Sequence, residues 1–111
     1  MRVTKDGDFF WGSHISGPTH NLLKMRVLSP QKDRCEVRVL PPVGDCSHGD
    51  PINAEEARDW ISEGVDRANN EVGTSYGVAE AEVIANDSRR PEVYAELARR
   101  IILAAHQEIV A

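Results

Sequence analysis

Several things are scarce in this chain of 111 residues. It has only two cysteines, Cys35 and Cys46, too few for a disulfide framework. No run of about 18 apolar residues occurs, which excludes a membrane-spanning helix. The first residues, MRVTKD, lack the apolar stretch of a secretory leader, so the expected location is the cytoplasm and no membrane partner is expected. There is no basic excess either: the net charge is −5, against the strong positive balance of a generic nucleic-acid binder. No G-x-x-x-x-G-K-[ST] phosphate loop and no paired C-x-x-C motif is present.

What is present suits one folded domain over residues 1–111, with 41% hydrophobic and 28% charged residues. Charge is distributed unevenly. Up to Asp50 there are seven Lys/Arg and six Asp/Glu, a balance of +1; beyond it six Arg face twelve Asp/Glu, a balance of −6. The acidic part is the part with helical periodicity, where such charge forms a solvated face.

Residues 8–11, with Phe9, Phe10 and Trp11, read as a first strand, and residues 12–20 as a loop rich in Gly, Ser and Pro. Residues 22–28 alternate, with Leu23, Met25 and Val27 on one side and Lys24 and Arg26 on the other, as in a half-buried strand. Residues 35–39 alternate likewise, and a short turn between the two predicts an antiparallel pair. A polar loop over 41–51 leads to Asn53, a good N-cap with Glu56 three residues on. Ala57, Trp60, Ile61, Gly64, Val65, Ala68 and Val72 then form one apolar helical stripe that Gly73 is placed to end. Gly64 on that stripe predicts close approach of helix to sheet.

Residues 76–85 alternate again, with Ala79, Ala81, Val83 and Ala85 on one face and Val78, Glu80, Glu82 and Ile84 on the other. A second helix follows, with Ser88 or Arg90 as cap, Pro91 in its first turn and a stripe of Tyr94, Leu97, Ala98, Ile101, Ala105 and Ile109. The expected fold is therefore α+β, a two-layer α/β sandwich in the order β-β-β-α-β-α, with both helices on one face of a four-stranded sheet. The other face would carry Lys24, Arg26, Glu36, Arg38, Glu80 and Glu82 in cross-strand pairs. Trp11 and Trp60 are expected in the core.

Three features carry candidate chemistry. In the loop Asn86-Asp87-Ser88-Arg89-Arg90, two arginines beside a helix N-terminus could grip phosphate. The competing reading is that Asp87 and Ser88 cap the helix while the arginines stay solvated. Cys46-Ser47-His48, flanked by Asp45 and Asp50, supplies one Cys and one His for a metal but no second ligand pair, so no metal is expected. Cys46 and His48 could also pair as nucleophile and base, yet no third, orienting group is identifiable, so the chain is read as no enzyme, with no cofactor. His14 and His20 read as surface loop residues, and His106 as a residue suited to the C-terminal end of its helix.

The order of elements resembles domain IV of elongation factor G-type translational GTPases. The resemblance rests on Ser16-Gly17-Pro18-Thr19-His20 at the family's first loop and on Glu63-Gly64-Val65 with Ala68 in the first helix. Tyr76-Gly77-Val78-Ala79-Glu80-Ala81-Glu82-Val83-Ile84-Ala85-Asn86-Asp87-Ser88 follows the family's strand, and Pro91-Glu92-Val93-Tyr94 with Ala98 its second helix. It covers most of the chain after Ser16, as a stand-alone domain without the GTPase part. The first loop here keeps a single glycine, and the Asp87 loop is shorter than the family's. The resemblance implies that His20, Asn86, Asp87, Ser88, Arg89 and Arg90 lie together at one tip and touch RNA or a ribosome-associated partner. The alternative is a protein-interaction or regulatory domain with no nucleic-acid role, which the −5 charge favours.

Overall fold

A computed structural model of the protein describes residues 1–16, 19–28, 36–41, 52–85 and 90–110. The element order is β1 (Arg2–Asp6), β2 (Phe9–Ser16), β3 (Thr19–Leu28), β4 (Glu36–Leu40), α1 (Ala54–Val72), β5 (Gly77–Ile84) and α2 (Pro91–Val110). The strands form one mixed sheet in the order β1-β2-β3-β5-β4, with both helices on one face.

The sheet has five strands where four were expected. The additional one, β1, pairs antiparallel with β2 across the two-residue turn Gly7-Asp8. Gly7 has φ +61 while Asp8 does not have positive φ, which fits the type II′ turn that matches the twist of a hairpin. Residues 12–16 and 19–20, expected in a loop, are strand: β2 runs on to Ser16 and β3 begins at Thr19, with Ile15 opposite His20 and His14 opposite Asn21.

The second correction concerns β4. It does not pair with β3. It lies at the far edge, parallel to β5, with Val37 opposite Ala81 and Val39 opposite Val83. β5 fills the place between them, antiparallel to β3 with Leu23 opposite Val83. α1 is thus the crossover of a parallel β4-α1-β5 unit. Since β4 and β5 point the same way and each is followed by a helix, both helices start at the same end of the sheet.

Inward residues meet in a continuous core: Phe10 from β2, Leu23 and Met25 from β3, Ala81 and Val83 from β5, Ala57, Ile61, Val65 and Ala68 from α1, and Tyr94, Leu97, Ala98, Ile101 and Ala105 from α2, with Val3 of β1 and Val37 and Val39 of β4 packed against it. In one place the alternation breaks. A register shift between Arg26 and Val27 sets Val27 opposite Val78, so Val78 turns inward and is only 7% exposed, while Ala79 is half-buried. Trp60 is half-buried at the edge of the core, its ring stacked on Tyr94 at 5.5 Å. Trp11, expected in the core, lies on the opposite face of the sheet, paired with Lys24 of β3.

Local signals at the helix ends match the structure closely. Asn53 accepts a hydrogen bond from the Glu56 N–H at 2.9 Å, and Gly73 closes α1 in the left-handed region at φ 67. The Arg90 carbonyl accepts from the N–H groups of Val93 and Tyr94, so Arg90 occupies the cap position of α2. Asn69 links α1 to β5: its side-chain amide donates to the Tyr76 carbonyl at 2.9 Å and accepts the Tyr76 N–H at 3.0 Å.

Gly64 faces α2 rather than the sheet. A Cβ there would stand 2.0 Å from the Ala95 carbonyl oxygen and 2.9 Å from the Ala98 Cβ. Gly64→Ala should therefore force the helices apart and cost about 3 kcal/mol in chemical denaturation, despite alanine's higher helix propensity. A stabilised variant would show that the helices do not touch there.

Outside the same helix pair, Arg99 donates to both oxygens of Glu71 at 2.8 Å and to Glu96 at 2.8 Å. The hydrogen bond from Arg99, helped by the charges of Arg99 and Arg67, holds the Glu71 carboxyl below its ordinary 4.5, although desolvation opposes this. A lowered folded-state pKa stabilises the fold above the unfolded value, and that contribution is lost as pH falls through the folded one. Glu71 is exposed, so the effect is small. The melting-temperature difference between the protein and Glu71→Gln should be present near neutral pH and vanish well below pH 4.5; a constant difference would contradict the pairing.

Candidate functional site

With both helices on one side, the other face of the sheet has no layer over it among the described residues. Register identifies what it presents. Thr4, Trp11, Lys24, Glu82 and Arg38 form one row across all five strands. Arg2, Ser13 and Leu22 form a second row, and Arg26, Glu80 and Glu36 a third. Strand alternation produces this face: each residue on it neighbours one that enters the core.

Lys24 organises the middle of the face. Its ammonium stands 4.6 Å from the centre of the Phe9 ring, 4.8 Å from that of Trp11 and 3.9 Å from a Glu82 oxygen. Two ring faces and a carboxylate hold one cation in place, so the aromatic pair is not an open stacking platform. Next to it Arg26 donates to Glu80 at 3.2 Å. The expected cross-strand charge pairing is thus present. It leaves the face nearly neutral: Arg2, Lys24, Arg26 and Arg38 are offset by Asp6, Glu36, Glu80 and Glu82.

Between these charges the face is apolar. Phe9, Trp11, Leu22, Leu28, Leu40 and Ile84 are half-buried, and Ile15 is 77% exposed. The Trp11 Nε1 atom is buried with no hydrogen-bond partner among the described residues. Beside it a shallow depression of about 500 Å³ opens along β1 and β2, lined by Arg2, Thr4, Lys5, Asp6, Trp11, Ser13 and Leu22.

The tip residues are only partly within view. Asn86, Asp87, Ser88 and Arg89 lie outside the described residues, as do Cys35, Asp45, Cys46, His48 and Asp50. Arg90 is half-buried, and its guanidinium binds Glu92 at 3.2 Å. His20 is exposed at the start of β3, opposite Ile15. β3 begins where β5 finishes, so His20 and the start of α2 at Arg90 belong to the same end of the molecule.

One polar pair had no warning in the sequence. His106 accepts or donates through Nδ1 to the Tyr76 hydroxyl at 2.8 Å, with the rings edge to face. Thirty residues separate them, so only the packing of α2 over β5's entry could reveal it. Among the described residues no group of three or more His, Cys, Asp or Glu is gathered to hold a metal, and no helix is long and apolar enough to cross a membrane. No protein-family model, curated protein or solved structure matches the chain.

Because the Trp11 indole N–H has no partner among the described residues, Trp11→Phe removes a buried donor without breaking a bond. Its stability in urea should stay within about 1 kcal/mol of the parent. A much larger loss would mean that the N–H is bonded.

Proposed function

We propose that this chain is a non-enzymatic binding module that docks another protein on the open face of its sheet. The observation that carries this reading is the composition of that face: an apolar surface around Trp11, Leu22 and the protruding Ile15, crossed by charges of both signs, with Lys24 bound to Glu82 and Arg26 to Glu80. Protein interfaces combine aromatic and aliphatic anchors with balanced polar groups at the rim. A nucleic-acid surface needs unpaired positive charge, and here Lys24 and Arg26 are already bound to carboxylates.

A second reading follows from the resemblance to domain IV of elongation factor G, in which the tip contacts RNA or a ribosome-associated partner. It is favoured by strand pairing, which sets the start of β3, with His20, at the end of the sheet where α2 begins at Arg90. The pairing of Arg90 with Glu92 reduces the free charge available there.

One experiment separates the two. Immobilised protein and its Ile15→Asp/Leu22→Asp variant are compared for retained lysate proteins in moderate salt, and both are titrated with structured ribosomal RNA. The protein reading expects a defined partner kept by the parent, lost with the open-face variant and unaffected by Arg89→Ala/Arg90→Ala. Salt-sensitive RNA binding that disappears in Arg89→Ala/Arg90→Ala would overturn it in favour of the tip.

A further inference from the structure

The outer edge of β1 has no strand beside it among the described residues. An open edge is a row of unused N–H and C=O groups. Which residues own those groups follows from the turn. Asp6 and Phe9 close the two-residue turn, so they are a hydrogen-bonded pair of the β1-β2 ladder. Such pairs alternate in an antiparallel ladder, which makes Thr4/Trp11 and Arg2/Ser13 hydrogen-bonded pairs as well. The N–H and C=O groups of Val3 and Lys5 therefore point outward.

The side chains of this edge are self-complementary. In Arg2-Val3-Thr4-Lys5-Asp6, Arg2 and Asp6 stand on the open face, equally far on either side of Thr4. Neither has an ion-pair partner among the described residues. Val3 and Lys5 point to the helix side, where Val3 packs against the core and Lys5 binds Glu108 of α2.

We propose that two copies of this chain pair antiparallel through β1, with the two-fold axis at Thr4. In this register Val3 exchanges both backbone hydrogen bonds with Lys5 of the partner subunit, and the symmetric pair does the same. Arg2 stands opposite the partner's Asp6, and Asp6 opposite the partner's Arg2. The outward groups also permit registers centred on Val3 or Lys5. The first leaves Arg2 opposite a threonine; the second sets two lysines face to face, which opposes pairing. Only the Thr4-centred register matches both charges. Charged edge strands usually resist indiscriminate pairing, whereas a charge pattern that inverts about its own centre admits an identical copy.

The two-fold axis stands perpendicular to the sheet, so both pairs of helices lie on one side of a ten-stranded sheet and both open faces on the other. The depressions beside Trp11 then flank the axis and merge into one surface. The edge pairing itself does not depend on what docks on that surface.

Charge reversal tests the register. Sedimentation equilibrium of the parent should show a monomer–dimer equilibrium at or below about 100 μM. Arg2→Asp and Asp6→Arg, each shown to be folded by circular dichroism, should each weaken the dimer about ten-fold or more, because two pairs per dimer turn repulsive. The double variant Arg2→Asp/Asp6→Arg should restore it. A parent that stays monomeric, or a dimer indifferent to the single reversals, overturns the proposal.

Discussion

The distance between the two helices is set by a missing side chain. At Gly64 the backbone of α1 lies against the Ala95 carbonyl of α2, closer than any Cβ would permit. Because the helices can approach this far, they fit side by side on one face, α2 over β2 and β3 and α1 beside β4. Ala98 keeps the approach close, its Cβ 2.9 Å from where a side chain at Gly64 would begin. With wider separation, one helix would overhang the sheet edge, and the row from Phe10 through Met25 to Ala81 would lose its cover. The opposite face, uncovered among the described residues, is the counterpart of this arrangement: both helices are committed to one side.

What the sequence reveals is what local chemistry decides. Asn53 and Gly73 mark their helix because an N-cap and a left-handed C-cap act over three or four residues. The apolar stripes from Ala57 to Ala68 and from Tyr94 to Ala105 follow from helical periodicity alone. Misreadings occur where partners are distant. β4 was expected beside β3 because a short connection favours a hairpin. Only the later arrival of β5, with Val83 between Leu23 and Val39, displaces it. Val78 was assigned outward by strict alternation, and the bulge at Val27 reverses it. β1 escaped notice because its residues are charged or polar except Val3, and its existence rests on a turn rather than on hydrophobic pattern.

The candidate surface was legible in part. The charged residues Lys24, Arg26, Glu36, Arg38, Glu80 and Glu82 of one sheet face could be read from alternation. Trp11 was expected in the core and lies on the open face instead, because a tryptophan in an alternating strand faces whichever side the register dictates, and its register depends on Lys24 of the neighbouring strand. His20 and Arg90 share one end through the pairing of β3 with β5, a relation that no spacing in the chain encodes.

The central position of β5 also has a consequence in time. β1, β2 and β3 are joined by short hairpin connections and can assemble among themselves, on the microsecond scale of hairpins. The other edge of β3 must wait for residues 77–84, roughly fifty positions further along the chain, and so must β4. Closing so long a loop before any contact rewards it is the slow event in folds of this kind. On a ribosome adding about 5–20 residues per second, the half-sheet remains open along β3 for several seconds. Arg26 and Lys24, later bound to the carboxylates of β5, carry their charges along that edge in the interval.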